Sequence, residues 1–282
     1  MESTILLVED NALYRRLLRD ALVADGFNLL EASDGENALE IVGNQPVDLL
    51  ITDVVLPGMD GIELIDQARA IKPKLLAIVM TGHGASETVI AALRSKACDF
   101  LSKPFEIEDL KQAVHNAFRR RDICDIEVVS ATSNWIEIRV PCDLSAVDPV
   151  RNFITELGCD LPKDTRRAIG DAFHEMLSNA IEHGGKCDPS QRVDIKWLRL
   201  KKAIIYSIKD PGEGFDIEKI EHAALANPAG DPVRHMKVRE QKGLRPGGFG
   251  IMLASQAIDE LIYNEKRNEL LLVKYVDDSQ RG

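Results

Sequence analysis

Short apolar runs alternate with helical patterns over residues 1–121, and this alternation constrains the fold more than any other feature of the chain. The runs are apolar at consecutive positions, which is typical of strands buried on both faces. Such strands, separated by helices, predict a doubly wound α/β domain with a five-stranded parallel sheet. The predicted strands contain residues 5–8, 28–30, 47–52, 76–80 and 99–101, and the predicted helices lie near 12–24, 34–43, 60–71, 84–95 and 106–121.

Length and composition exclude several classes of protein. A chain of 282 residues suits two domains, and 45% hydrophobic with 29% charged residues is typical of a globular protein. No apolar run approaches the roughly 20 residues that span a bilayer, so no membrane partner is expected. Five cysteines without a C-x-x-C pair, and no export signal, predict reduced thiols and a cytoplasmic location. A net charge of −11 without a helix-turn-helix pattern argues against nucleic acid as a direct partner.

Polar side chains stand where the predicted strands of the first domain end. Carboxyl ends of parallel strands meet at one edge of a sheet, so these residues are expected to lie together. Carboxylates gathered there require a cation, and an all-oxygen ligand set suits Mg²⁺. Singly, each residue could be a strand cap or part of a solvated turn, but the combination favours phosphoryl chemistry. We call this set the strand-end cluster: Glu9, Asp10, Asp53, Thr81 and Lys103.

The residue types predict a division of labour in this cluster. Asp53 can attack a phosphoryl donor, while a metal ion and Lys103 draw charge from the transferring oxygens. The Thr81 hydroxyl is then placed to donate a hydrogen bond to a phosphoryl oxygen. The catalytic residues predicted for this domain are therefore Asp53, Lys103 and Thr81.

Residues 53–61 (Asp-Val-Val-Leu-Pro-Gly-Met-Asp-Gly) and 81–84 (Thr-Gly-His-Gly) resemble the receivers of bacterial response regulators. The resemblance covers about residues 3–121 and implies a flavodoxin-like fold that catalyses its own aspartyl phosphorylation. Phe100 takes the position of the family's aromatic switch residue, without a hydroxyl group. The resemblance also implies that Mg²⁺ is held by Glu9, Asp10, Asp53 and the backbone carbonyl of Val55.

The rest of the chain has a different pattern, in which helices are segregated from strands. After a short junction at residues 122–133, the second domain is expected to cover residues 134–282. Its mixed, mostly antiparallel sheet and accompanying helices predict an α+β sandwich. The predicted strands lie at 134–141, 192–200, 203–210, 260–264 and 269–276, and the predicted helices at 145–157, 163–183 and 248–258.

Three polar residues at four-residue spacing, Glu175, Asn179 and His183, are expected to share one stripe of the helix 163–183. Asn179 can offer an amide oxygen to Mg²⁺, and Glu175 can accept a proton from a hydroxyl group. An ordinary solvated helix face would explain the same triplet. Two glycine-rich segments favour a nucleotide instead, since residues 210–216 allow a tight turn and residues 245–251 open a helix towards phosphate.

The long basic segment between the glycine-rich segments, residues 217–246, is predicted to be an ATP lid. The helix segment from Glu175 to Asn179 and the two glycine-rich segments resemble the three nucleotide-binding boxes of the GHKL ATPases, within about residues 130–276, and in particular those of the anti-sigma-factor serine kinases. The resemblance implies ATP and Mg²⁺ as cofactors, Asp210 as the acceptor of the adenine amino group, and Glu175 as the catalytic base. The predicted cofactor-binding residues are Asn179, His183, Asp210, Gly212, Gly214, Arg245, Gly247, Gly248 and Gly250.

The two resemblances together predict a two-component response regulator whose phosphorylation at Asp53 controls an ATP-dependent protein serine/threonine kinase. The expected partners are an upstream histidine kinase or phosphotransfer protein, an anti-sigma-factor antagonist as substrate, and a sigma factor that the domain sequesters. The alternative is a non-catalytic ATP-binding switch that holds a protein partner. The direction of regulation, the identity of the partners and homodimerisation stay open from sequence.

Overall fold

The computed structural model describes residues 3–82, 86–119, 126–158, 161–214 and 258–276. The chain divides into two compact units, residues 1–125 and 126–282. None of the described helices combines the length and the apolar character needed to cross a membrane. The predicted lid, residues 248–257 of the predicted helix 248–258 and the glycine-rich segment 245–251 lie outside the described residues.

The first unit is a five-stranded parallel sheet with the strand order β2-β1-β3-β4-β5, flanked by helices. Every strand pairing in it is parallel, which confirms the predicted doubly wound fold. Helix α1 packs with α5, and α2 packs with α3. The elements are β1 (Thr4–Val8), α1 (Ala12–Ala24), β2 (Asn28–Ala32), α2 (Gly35–Asn44), β3 (Leu49–Asp53), α3 (Gly61–Ile71), β4 (Leu76–Thr81), α4 (Ser86–Arg94), β5 (Asp99–Ser102) and α5 (Ile107–Arg119).

Strands β1, β3 and β4 form the centre of this sheet and are buried along their whole length. Their consecutive apolar residues meet helices on either face, as the sequence pattern predicted. Strand β3 starts two residues later than expected. The Asp48 carboxylate accepts a hydrogen bond from the Thr4 N–H at 2.9 Å, and this side-chain contact precedes the regular ladder.

Helix α3 begins directly against the end of β3, and Gly61 makes that approach feasible. A Cβ atom at residue 61 would lie 1.9 Å from the Asp53 carbonyl oxygen. The preceding residue, Asp60, caps the helix, since its side chain accepts the N–H groups of Ile62 and Glu63, both at 2.8 Å. The sequence Asp-Gly therefore fixes the loop that follows the predicted phosphoacceptor.

The second unit is a six-stranded sheet with the order β10-β11-β9-β8-β7-β6, and each described pairing is antiparallel. Alternate residues of β7 and β8 are buried, as in a sheet with one face on a helical layer. This confirms the predicted α+β class. The elements are β6 (Glu127–Thr132), β7 (Trp135–Pro141), α6 (Val147–Leu157), α7 (Lys163–Asn179), β8 (Arg192–Arg199), β9 (Ala203–Lys209), β10 (Glu260–Tyr263) and β11 (Glu269–Tyr275).

Two local features of the second unit differ from the sequence prediction. Strand β6 lies inside the range 122–133 that was predicted to be a junction. It is an edge strand with a register irregularity between Val128 and Ser130, and Ala131 is its one buried residue, so its hydrophobic periodicity is weak. The helix predicted to run to residue 183 ends as an α-helix at Asn179 and continues as a wider π turn, Ala180–Gly184.

Replacing Gly61 by alanine should destabilise the first unit by about 1–3 kcal/mol, because the added methyl group overlaps the Asp53 carbonyl. Gly43→Ala is the matched control: nothing lies within 4 Å of a Cβ at that helical position, and the change should stabilise by up to about 1 kcal/mol. Far-UV circular dichroism of the intact chain would follow unfolding of both units. Tryptophan fluorescence would report the second unit alone, since Trp135 and Trp197 are the two tryptophans. An unchanged unfolding transition of the first unit in Gly61→Ala would contradict the close approach of residue 61 to the Asp53 carbonyl.

Candidate functional site

The strand-end cluster assembles at the carboxyl edge of the parallel sheet. Lys103, which follows β5, donates to Glu9 Oε2 at 2.6 Å and to Asp53 Oδ2. The other oxygen of Asp53 accepts the Val55 N–H at 3.1 Å, so the carboxylate is held from two sides. Thr81 is buried at the end of β4, and its carbonyl accepts the Lys103 N–H at 2.7 Å. The topology therefore places residues from four strand ends at one mouth.

The three carboxylates of the cluster could hold a divalent ion. One oxygen from each of Glu9, Asp10 and Asp53 can be chosen such that all three lie within 4.8 Å of one another. Glu9 and Asp53 are buried, with 2% and 7% of their surface exposed, whereas Asp10 is exposed. A set of oxygen donors that is open on one side fits Mg²⁺, which keeps part of its water shell. The Val55 carbonyl stays a predicted fourth ligand.

Burial and the neighbouring ammonium set the charge state of this cluster. Burial raises the pKa of Glu9, and the hydrogen bond from Lys103 opposes that rise. For Lys103, burial by itself lowers the pKa, but hydrogen bonds to Asp53 and Glu9 outweigh it, and the net pKa is raised. The ammonium is therefore charged at neutral pH. It supplies the positive charge that adjacent buried carboxylates require.

Two further features lie beside the cluster. The Lys103–Pro104 peptide bond is cis. Phe100 is buried in β5, at the position of the predicted aromatic switch. Its rotation on phosphorylation stays a prediction. Residue 83, the histidine of the 81–84 motif, lies outside the described residues.

A second cluster surrounds Asp210, at the end of β9. The Asp210 side chain is partly buried, and its Oδ1 accepts the Gly212 N–H at 2.8 Å. A Cβ atom on Gly184 would lie 2.2 Å from the same oxygen, and one on Gly212 would lie 2.8 Å from it. Glycine at both positions therefore allows the π turn after α7 to pack directly on the carboxylate. We call Asp210, Gly184 and Gly212 the glycine cradle.

The turn between β10 and β11 holds this cradle in place. Asn268 Nδ2 donates to the carbonyl oxygens of Asp210 and Gly212, both at 3.2 Å. Gly214 has φ of +86°, and a Cβ there would lie 1.6 Å from the Lys266 carbonyl, so this position requires glycine. Gly184 and Asn268 were not among the site residues predicted from the sequence. The doubled glycine after His183 was the available signal for the first, and no spacing signal pointed to the second.

Helix α7 carries two of the three polar residues predicted to share a stripe. Glu175 and Asn179 lie one turn apart and are partly buried, while Ala172 and Met176 are buried in the core. His183 belongs to the π turn that follows the helix, and its place on that stripe stays a prediction. It is exposed, and its predicted phosphate contact stays a prediction. Four predicted cofactor-binding residues lie outside the described residues: Arg245, Gly247, Gly248 and Gly250.

The chemistry of the cradle fits an adenine ring. Burial raises the pKa of Asp210, and the Gly212 N–H opposes that rise. A partly buried carboxylate accepts a neutral donor, such as an exocyclic amino group, without bringing a second charge into the pocket. The Asn179 amide oxygen, on the helix that leads into the π turn, could coordinate a metal ion bound to phosphate.

Comparisons with known proteins agree with this arrangement. Residues 5–115 match the response regulator receiver domain, and residues 140–274 match the histidine kinase-like ATPase domain. The sporulation initiation phosphotransferase F of Bacillus subtilis is 32% identical over 114 residues, 40% of this chain and 92% of that protein. The chain belongs to the response regulators. It joins a receiver to a histidine kinase-like ATPase domain, so the second unit is an ATP-binding module of GHKL type.

Other relatives share the receiver but are longer than the matched region. The transcriptional regulatory protein ZraR of Escherichia coli K12 is 32% identical over 206 residues, 72% of this chain and 46% of that protein. The cyclic di-GMP phosphodiesterase of Thermotoga maritima is 37% identical over 118 residues, 42% of this chain and 32% of that protein. The chain thus spans less than half the length of these two relatives. A solved receiver from Clostridium thermocellum is 30% identical, covers 42% of this chain and 96% of its own, and has a TM-score of 0.40.

Asp210→Asn should stabilise the ATP-free second unit at neutral pH, because it removes a charge that burial disfavours and keeps the oxygen that accepts the Gly212 N–H. The pKa of Asp210 is higher in the folded state. The stability of the wild type relative to the variant is therefore greatest below the ordinary pKa of aspartate and falls as pH rises through the raised value. ATP affinity should fall by about tenfold or more. Urea unfolding followed by tryptophan fluorescence at several pH values, and nucleotide titration, would measure both effects.

Asp188→Asn provides a control with the opposite sign. Hydrogen bonds from Ser190 lower the pKa of Asp188, so this substitution should reduce stability at neutral pH, and the loss should disappear in acid. Equal pH profiles for the two variants would contradict the electrostatic account of Asp210.

Proposed function

We propose that phosphorylation of Asp53 controls an ATP-dependent protein serine/threonine kinase carried by the same chain. The observation that carries this proposal is the pairing, in one chain, of an Asp53 carboxylate bridged to Lys103 and a glycine cradle around Asp210. The first arrangement suits a phosphoryl acceptor, and the second suits a nucleotide. The substrate we propose is an anti-sigma-factor antagonist, modified on serine or threonine, with sequestration of a sigma factor as a related output.

In the receiver, the chain supplies an oriented phosphoryl acceptor, Asp53, and a positive charge, the Lys103 ammonium. The Val55 N–H and Lys103 fix the Asp53 carboxylate, one of whose oxygens attacks the phosphorus of the donor as the bond to the leaving group breaks. Lys103 can then transfer its hydrogen bonds to the phosphoryl oxygens, and the Thr81 hydroxyl can donate to another. Mg²⁺ bound to Glu9, Asp10 and Asp53 would supply further charge neutralisation.

In the second unit, the proposed chemistry separates binding from proton transfer. Asp210 accepts a hydrogen bond from the adenine amino group, and the Asn179 amide oxygen serves the ion that accompanies the phosphates. Glu175, one helical turn before Asn179, accepts the proton of the substrate hydroxyl. The hydroxyl oxygen bonds to the γ-phosphorus of ATP as the bond from that phosphorus to the bridging oxygen breaks, and ADP leaves. A nucleotide-binding switch requires the first two roles but no base. Glu175 therefore favours the kinase over the switch.

The proposed control of the kinase by phosphorylation originates in a rearrangement of the receiver. The phosphoryl group carries about two negative charges, which Thr81 and Lys103 can engage only after the strand-end cluster rearranges. Buried Phe100 and Thr81, which lie on the neighbouring strands β5 and β4, form the proposed two-state element. Couplings of this kind are typically about 1–3 kcal/mol, so severalfold modulation of kinase rate or partner affinity is expected.

Asp53→Asn should abolish labelling of the chain by radioactive acetyl phosphate and leave ATP binding within about twofold of the wild type. The reason is that Asp53 is the proposed acceptor, and it belongs to the unit that does not hold the cradle. Asp60→Asn is the matched control, since that carboxylate caps α3 rather than pairing with Lys103. Undiminished acid-stable or aspartyl labelling of Asp53→Asn would contradict the assignment of Asp53 as the phosphoryl acceptor.

Asn179→Ala should lose Mg²⁺-dependent ATP binding, whereas Glu175→Ala should keep binding and slow phosphate transfer by at least about a hundredfold. Labelled ATP, a purified anti-sigma-factor antagonist and the variant chain, with and without acetyl phosphate, would measure transfer and its control. Asp171→Ala is the control, because it also removes a carboxylate from α7, one turn before Glu175. The Asp171 carboxylate pairs with Arg151 at 2.7 Å. Transfer at the wild-type rate by Glu175→Ala would exclude its role as the base. ATP binding without transfer by the wild type would favour the switch.

A further inference from the structure

An aromatic ring faces the ammonium group of the strand-end cluster. The Nζ atom of Lys103 lies 4.7 Å from the centre of the Tyr14 ring, which is partly buried on α1. The Tyr14 ring also contacts the Phe105 ring in a T-shaped arrangement, with centroids 6.1 Å apart. Tyr14 and Phe105 thus belong to segments that flank the mouth, α1 and the turn after β5.

The distance is within the range in which a cation is attracted by the quadrupole of an aromatic ring, about 6 Å from the centroid. The Lys103 side chain has 18% of its surface exposed, so water screens this attraction less than at an open surface. Lys103 consequently has three neighbours of negative potential: the carboxylates of Glu9 and Asp53 and the face of the Tyr14 ring.

The two carboxylate contacts are those that phosphoryl transfer would disturb. Asp53 loses its free carboxylate when it becomes an aspartyl phosphate, and Glu9 is required as a ligand to the divalent ion. The ring takes part in neither change, so it is the neighbour that can stay with the ammonium throughout.

We propose that Tyr14 is a positioning residue, which holds the Lys103 ammonium at the mouth through a cation–π contact so that it meets the transferring phosphoryl group. This inference rests on the proposed role of Asp53 as phosphoacceptor. It assigns to the aromatic face of Tyr14, rather than to its hydroxyl group, a part in setting the phosphorylation rate.

The test is the rate of labelling of the full-length chain by acetyl phosphate for substitutions that separate ring, charge distribution and bulk. Tyr14→Phe keeps the aromatic face and should stay within about twofold of the wild type. Tyr14→Leu keeps apolar bulk without a quadrupole and should be slower by about threefold or more. Mono-, di- and trifluorophenylalanine at residue 14 keep the ring shape and should slow labelling progressively, because each fluorine weakens the negative face.

A spectroscopic measurement tests the contact without any phosphoryl chemistry. In the unphosphorylated chain, the ε-methylene protons of Lys103 should be shifted upfield by the ring current, and this shift should be present with Tyr14→Phe and lost with Tyr14→Leu. Leu13→Ala is the control on the same helix, since Leu13 is 83% exposed, and it should change neither the shift nor the rate.

Each outcome bears on the proposal separately from the role of Asp53. A progressive effect of fluorination together with the ring-current shift would support it. Equal rates across the fluorinated series, or an effect of Tyr14→Phe as large as that of Tyr14→Leu, would overturn it while Asp53-dependent labelling persists. Equal labelling of Asp53→Asn and the wild type would instead overturn the proposed acceptor. The ring-current shift would still decide whether Tyr14 contacts Lys103.

Discussion

The pairing of one ammonium group with two buried carboxylates is the interaction on which the receiver depends. A parallel sheet turns the carboxyl ends of its strands to one edge, so Glu9 and Asp53 are brought together by the fold. Adjacent buried carboxylates repel each other and lose hydration, and a compensating cation is needed for both to be ionised. Lys103 provides it, with a bond of 2.6 Å to Glu9 and another to Asp53. Lys103 thus compensates part of the negative charge at the mouth before any phosphoryl group arrives, and a new anion has to redistribute these hydrogen bonds.

In the second unit, the Asp210 carboxylate has different surroundings. Asp210 accepts a backbone N–H and packs against Gly184 and Gly212, in surroundings that raise its pKa. Such a site prefers a neutral hydrogen-bond donor to a formal positive charge, because the donor satisfies the oxygen with little loss of hydration. The two units therefore use carboxylates for opposite purposes. In the first unit, Glu9 and Asp53 pair with an ammonium group, and in the second, Asp210 accepts a backbone N–H beside two glycines.

Sequence reasoning succeeded where a single periodicity determined the structure and failed where tertiary contacts did. Apolar runs placed the ends of β1, β3, β4 and β5, and hence the residues of the strand-end cluster. Strand β6 escaped because an irregular edge strand has little alternation. The π turn was not predicted from the sequence, and it is where Gly184 packs on Asp210, a residue far from it in sequence. The contact of Tyr14 with Lys103 escaped for the same reason, since α1 and the end of β5 meet only in the folded domain.

The energetic scale of these interactions limits what phosphorylation can do. Domains are stable by only about 5–15 kcal/mol, and a switch can draw on no more than the difference between two arrangements of its mouth. In the switch proposed above, that difference would consist of the hydrogen bonds that Lys103 and Thr81 exchange and the packing of buried Phe100. A few such exchanges amount to about 1–3 kcal/mol, which changes an equilibrium by about 5–150-fold. A kinase governed in this way keeps a basal rate in its disfavoured state. Its output is therefore graded by the fraction of receiver that is phosphorylated.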